Sequence, residues 1–388
     1  LADEMDPSLF DLIDVIKKEK DIDKIIELVK QEKSIVETIS QLKAKYSLSK
    51  QNWTLKPKGK HYLVLLWHLL YQAVHDIRHF SWKYNISFLN DGEVRCLYNV
   101  LNLYIHFIAL HGKAKLTMLE REAIFAASAL HPLQDDYIDE LGPSVEIITS
   151  IEEKLKGNEV PFLDEKAQVI FDLIDVIYTL FPVKKHPTLV TIFSKLHEYQ
   201  CLSMKQKKDA ISEEELLRIS FLKGGYAFAF FGYIAHGKMS IQSFNHFFIM
   251  GAIFQICDDF HDIDDDLVSG STTIWTKAIK RNEPLDRVMN ATIALQDYYE
   301  ESTELVEDFK HPVLTRRIEL FGIRYDLFRF FTMNYSYFSE DYVENFESCF
   351  PFPIHTPKNV FQSTRPYETL DTFMTILEEV KRLFLKTG

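Results

Sequence analysis

The chain is short of everything that punctuates or staples a fold. It has only 4 Cys, 13 Gly and 13 Pro in 388 residues. Cys96, Cys201, Cys257 and Cys349 stand alone, without Cys-x-x-Cys or zinc spacing. That excludes a disulfide framework or zinc ribbon and implies free thiols in a reducing, cytoplasmic setting. With no Ser/Gly-rich or Pro-rich stretch there is no linker, so one large domain is expected. Positive charge is also scarce, with 44 Lys and Arg against 57 Asp and Glu. The net charge of −13 excludes nucleic acid or an anionic membrane as the main partner. No signal peptide and no apolar run of transmembrane length is recognised, so no stable membrane insertion is expected.

What the chain has in quantity is helical periodicity and aromatic side chains, 30 Phe and 18 Tyr. The apolar spacing predicts an all-α fold. Residues 1–50 read as an N-terminal helical extension with no visible chemistry, and 51–388 as the helical domain. Within it, helices are predicted near 61–80, up to 111, and over 116–140, 164–181, 187–206, 213–234, 284–308, 313–338 and 368–386. Residues 350–366 read as an irregular crossing loop.

One stretch organises the rest. Residues 251–266 begin as an apolar helix and end in six carboxylates. Asp258, Asp262 and Asp266 recur at i, i+4 and i+8, which on a continuous helix puts them on one face, drifting about 40° per step. Phe254, Gly251 and Phe247 precede them on that face. Like charges one turn apart repel, which points to a bound cation, and oxygen-only ligands suit Mg²⁺. A solvated acidic helix end is the plain alternative. A calcium EF-hand loop is excluded, because Leu267 stands where its turn requires Gly and Thr273 where its bidentate Glu belongs.

A second cluster of the same form, Asp135, Asp136 and Asp139, ends the helix at 116–140. Pro132, just before it, predicts a kink. Helix C-termini are already electronegative, so carboxylates placed at two of them deepen sites that favour cations. Between the clusters, Arg218 and Lys223-Gly224-Gly225 lie among Tyr226, Phe228, Phe230 and Phe231. Two adjacent glycines inside a helix cost about 1 kcal/mol each relative to Ala, so a close backbone approach or a deliberate local distortion is expected there. Lys223 by itself reads equally well as a snorkelling side chain.

On these motifs the chain resembles the class I isoprenoid synthases, which comprise trans-prenyl diphosphate synthases and terpene synthases. Phe254-Gln255-Ile256-Cys257-Asp258-Asp259-x-x-Asp262 looks like the second Asp-rich motif of the prenyl synthases. The spacing of Asp258, Asp262 and Asp266 is similar to the metal triad of terpene synthases. Lys223-Gly224 resembles the family's diphosphate-binding lysine, and the Lys-Gly-Gly form is loosely closest to bacterial large-terpene synthases. The resemblance implies a helical bundle with a central apolar cavity and about three Mg²⁺ ions bound by Asp135, Asp136, Asp139, Asp258, Asp259, Asp262 and Asp266. It implies a prenyl diphosphate substrate held by Lys223, Arg218, Gln255 and Lys277 or Arg324. Phe247, Phe254, Tyr226 and Phe230 are then candidates to line the cavity, with core packing as the plainer role of each. A homodimer is the family's habit.

Chain-elongating members carry an Arg-Arg pair after the first motif. Here Glu140-Leu-Gly-Pro-Ser-Val-Glu146 follows, without a base. The expected activity is therefore a Mg²⁺-dependent terpene synthase that ionises an allylic diphosphate and turns the cation into a hydrocarbon or alcohol. Elongation with isopentenyl diphosphate is the nearest alternative. Two others are a non-catalytic prenyl-lipid-binding homologue and a His-Asp metal phosphohydrolase built on His75-Asp76, His79 and His261-Asp262.

Overall fold

The computed structural model describes residues 57–88, 92–112, 115–141, 144–207, 211–302, 306, 309–347, 369–371 and 374–375. The N-terminal extension and the 350–366 loop lie outside the described residues, as does most of the helix expected at 368–386. Among the described residues there are thirteen α-helices, three short 3₁₀ turns and no strand. None of these helices is long and apolar enough to cross a membrane. By their contacts the described residues gather into two compact units.

The first unit holds α1 (Pro57–Tyr84), α2 (Gly92–His111), α3 (Met118–Leu141), α4 (Val145–Leu155) and α5 (Glu165–Leu180), together with residues 369–375. Helix α3 packs between α2 and α5. Its run from Ala123 to Leu130 is buried throughout, which small side chains allow. The helix continues through Pro132. Proline cannot donate to the Ser128 carbonyl. The Asn99 side chain of α2 donates to it instead, at 3.4 Å. At the start of α5, Asp164 accepts from the Ala167 N–H at 2.8 Å and from the Tyr137 hydroxyl at 2.6 Å, tying α5 to the acidic end of α3.

The second unit runs from α6 (Pro187–Ser203) through α7 (Glu213–His236), α8 (Ile241–His261), α9 (Ile263–Ser269), α10 (Ile274–Lys280), α11 (Asp286–Ser302) and α12 (Pro312–Asn334) to α13 (Glu340–Glu347). Its centre is the α7–α8 pair, with α6 against α7 and with α11 and α12 against α8. Ser212 and Ser240 cap the two central helices, each accepting at 3.1 Å from the N–H three residues on. Gly237, with φ of 78°, ends α7 in the left-handed conformation that glycine adopts without strain. Most of α7 from Leu216 to His236 is buried on every side, and Arg218, Lys223 and Phe228 are its only half-exposed residues.

Candidate active site

Helices α7 and α8 meet backbone to backbone. A Cβ on Gly251 would stand 2.1 Å from the Gly224 carbonyl oxygen, and one on Gly224 would stand 2.3 Å from that of Gly251. Gly225 receives the Phe248 ring and Gly232 the Phe247 ring, each with no room for a methyl group. The adjacent glycines thus serve the close approach that the sequence suggested. Gly251→Ala gains about 1 kcal/mol of helix propensity. The backbone clash outweighs it, so a net loss of about 1–3 kcal/mol is expected in urea unfolding. Unchanged stability would mean that the two helices do not touch there.

The approach sets Lys223 beside the C-terminal end of α8. Lys223 pulls the ionisation of Asp258, Asp259 and Asp266 downward, so all three lie within its field. It is outmatched. Burial first, then Asp262 and Asp259, pushes Asp258 up to about 7. Burial with the same neighbours and Asp258 pushes Asp266 up to about 8. Burial also raises Asp259 to about 6, although Gln255 and Ser220 bonds favour its charged form. Asp258 has an exposed surface, yet burial dominates its shift.

Asp259 points the other way, into the helix pair. It accepts from Ser220 Oγ at 2.9 Å and from Gln255 Nε2 at 3.0 Å. Asp258, one position earlier, is on the exposed side of the helix. Around them, Trp275 of α10 stacks on Phe260 at 4.1 Å and donates to the Ile256 carbonyl at 2.9 Å. Asn334 of α12 donates to the Phe260 carbonyl at 3.3 Å, in the last turn where helical donors run out.

The continuous helix expected through Asp266 is interrupted. Helix α8 stops at His261, and Asp262, with φ of −92° and ψ of 13°, caps it before α9 begins. The hydrogen bonds Asp262 N–H to Asp258 and Asp266 N–H to Asp262 still carry the turn across, at 3.0 and 2.8 Å. Asp262 is engaged by His261 Nδ1 at 2.8 Å. Burial alone would lower His261, but the Asp262 bond outweighs it and raises the imidazole.

Other expected residues are placed elsewhere. Lys277 donates to the Ile211 carbonyl at the entry to α7, and burial followed by Arg281 lowers its ionisation. Arg324 pairs with Glu300 at 2.7 Å, and Arg218 is half-buried on α7. Tyr226, Phe230 and Phe247 are fully packed in the core, with Tyr226 stacked on Tyr199 and Phe230 against Phe193. Phe254 is half-exposed one turn before Asp258 and stacks on half-exposed Phe228, centroids 4.9 Å apart. The accessible aromatic pair is therefore Phe254 with Phe228.

In the first unit, Asp136 accepts from Arg95 of α2 at 2.6 and 2.7 Å, an internal counter-ion that a reading of the helix end alone does not find. Asp135 is half-buried, and the side chain of Asp139 lies outside the described residues. Asp76 is fully buried and accepts from Arg121, Tyr104, Gln72 and His75. Its oxygens are thereby committed to these four donors.

Sequence reading also passed over Ser220 and Asp326. Ser220 lies one turn before Lys223 on the same face, a spacing that could have found it. Asp326 of α12 is raised to about 6 by burial against Arg329 and His261. It lies in the stretch read as aromatic and basic, so its acid went unremarked. Among the described residues, no three His, Cys, Asp or Glu side chains close on a point where they alone could hold a metal ion. No protein-family model matches this chain, and a search of curated proteins finds no match either.

Proposed function

We propose that the chain is a Mg²⁺-dependent class I terpene synthase that ionises an allylic prenyl diphosphate. The observation that carries this reading is the seam of α7 and α8. There one lysine lies within the field of three carboxylates whose protons are held unusually tightly, one turn above an accessible aromatic pair. Repelling carboxylates without enough base beside them fit a cation that brings its own waters and shares an external anion, and an all-oxygen donor set suits Mg²⁺. Asp258, Asp262 and Asp266 would hold such a cation in the second unit; Asp135, Asp136 and Asp139 of the first unit are a separate candidate set, in which Asp136 already has Arg95 as counter-ion. When bound, Mg²⁺ supplies neutralisation of the leaving diphosphate's charge.

The side chains then have separate tasks. Lys223 donates to a diphosphate oxygen as the substrate C–O bond breaks, with both bonding electrons leaving on the diphosphate. Ser220 and Gln255 hold Asp259 still, so the cluster does not collapse onto Lys223. The rings of Phe254 and Phe228 present π-faces to the allylic cation, each worth about 1–2 kcal/mol in a dry site. Elongation would require bases for a second diphosphate. The first base after Asp139 is Lys154, which is buried and bound to Asp175 at 2.7 Å.

The test supplies labelled isopentenyl diphosphate together with dimethylallyl, geranyl, farnesyl or geranylgeranyl diphosphate, with and without Mg²⁺. Diphosphate release that needs Mg²⁺ is expected, with the label untouched and a hydrocarbon or alcohol in the organic layer. Label in a longer prenyl diphosphate would replace this reading with the elongase. No release from any substrate would leave a lipid-binding homologue.

A further inference from the structure

Helix α1 carries an imidazole pair that the chemistry above does not use. His75 and His79 are one turn apart, with ring centroids 6.2 Å apart and planes within 16°. They line a groove of about 500 Å³ that Tyr71, Trp82 and Met374 also line. An ion pair between Arg78 and Asp371 holds the 369–371 segment to α1 one turn before Met374.

One of the two imidazoles is positioned by a carboxylate. His75 Nδ1 lies 3.2 Å from Asp76 Oδ1. Both oxygens of Asp76 accept already, from Arg121 and from the Tyr104 hydroxyl. Facing that acceptor, His75 Nδ1 is the donor, and Nε2 is the nitrogen left for a ligand. The His75 side chain is 69% exposed, so this nitrogen is open to the groove. A carboxylate behind a histidine in this way is the usual outer support of a metal-bound imidazole. His79 makes ring contacts with His75 and Phe80 and no hydrogen bond through its ring nitrogens among the described residues.

No third His, Cys, Asp or Glu converges on the pair. Met374 lines the same groove and carries a thioether donor. Two imidazoles and a thioether form a neutral, soft set, which favours Cu(I) over the hard divalent ions that carboxylates attract. We propose that His75, His79 and Met374 form a copper(I) site on the first unit, independent of the acidic clusters.

The site can be read by titrating the full chain, without oxygen, into the coloured Cu(I)–bicinchoninate complex. Cys201→Ser and Cys349→Ser in the parent remove competing thiols, while Cys96 and Cys257 are buried. The parent should withdraw one equivalent of Cu(I). His79→Ala and Met374→Leu should each weaken binding about tenfold or more while circular dichroism stays unchanged. A parent that withdraws no copper would overturn the proposal. So would Met374→Leu binding as tightly as the parent, which would leave only an imidazole pair of the kind that takes Zn²⁺ or Ni²⁺.

Discussion

Asp258→Asn should slow diphosphate release about a hundredfold or more, because the acidic end of α8 loses a charge that holds the cation. The protein should nonetheless fold as well as the parent or better. Asp258, Asp259 and Asp266 all bind protons more tightly folded than unfolded, chiefly through burial. The sign follows from linkage. Where the native state holds more protons than the unfolded chain, stability falls as pH rises. The fall begins above the unfolded carboxylate range, near pH 4, and is complete once the native groups have ionised at about 6, 7 and 8. Without metal, the parent's melting temperature should therefore decline from pH 5 to 8, and the Asn variant should decline less. Mg²⁺ at pH 8 should raise the parent's melting temperature through preferential binding to the native state, with a smaller rise in the variant. Normal turnover in the variant, or a parent indifferent to both pH and Mg²⁺, would dismiss the cluster as a cation site.

How much of this was legible in the sequence depended on how far the partners lie apart along the chain. The acid clusters and Lys223-Gly-Gly are local patterns, and their grouping on α7 and α8 follows from helical spacing. The cost of two glycines within a helix pointed to a close approach or a local distortion, and the packing of Gly224 on Gly251 is the former. The lining aromatics were a different matter. Helices α7 and α8 are apolar nearly all round, so periodicity does not tell an accessible ring from a packed one, and Phe228 was passed over for Tyr226 and Phe230. The interruption at Asp262 has no Gly or Pro to signal it. The pairings of Asp136 with Arg95 and of Asp76 with Arg121 join residues 41 and 45 apart. Only the packing of α1, α2 and α3 brings them together.

Removing Arg121 should have the largest effect on stability. Asp76 has no exposed surface, and Arg121 donates to both of its oxygens, Nε to Oδ2 at 2.7 Å and Nη2 to Oδ1. The hydroxyl of Tyr104 and the amide of Gln72 complete the set, the latter at 2.9 Å. Arg121→Ala strands a buried carboxylate whose remaining partners are neutral or exposed, and a loss of about 3–5 kcal/mol at pH 7 is expected. The loss should be pH-dependent. Asp76 is ionised in the parent down to below its usual value, so its contribution is present above about pH 4 and is lost as pH falls through the lower native value. In the variant the carboxyl can take up a proton sooner, because its guanidinium is gone. The deficit relative to the parent should therefore shrink toward pH 4. Asp76→Leu combined with Arg121→Met removes both charges and should recover much of the loss. Recovery should stop short of the parent, because Tyr104 and Gln72 then lose a buried acceptor at about 1–3 kcal/mol. Urea unfolding of the parent, Arg121→Ala and the double variant at pH 7 and pH 4.5 measures these differences. A double variant no more stable than Arg121→Ala would show that Arg121 acts by packing, and that the charge on Asp76 has another counterpart.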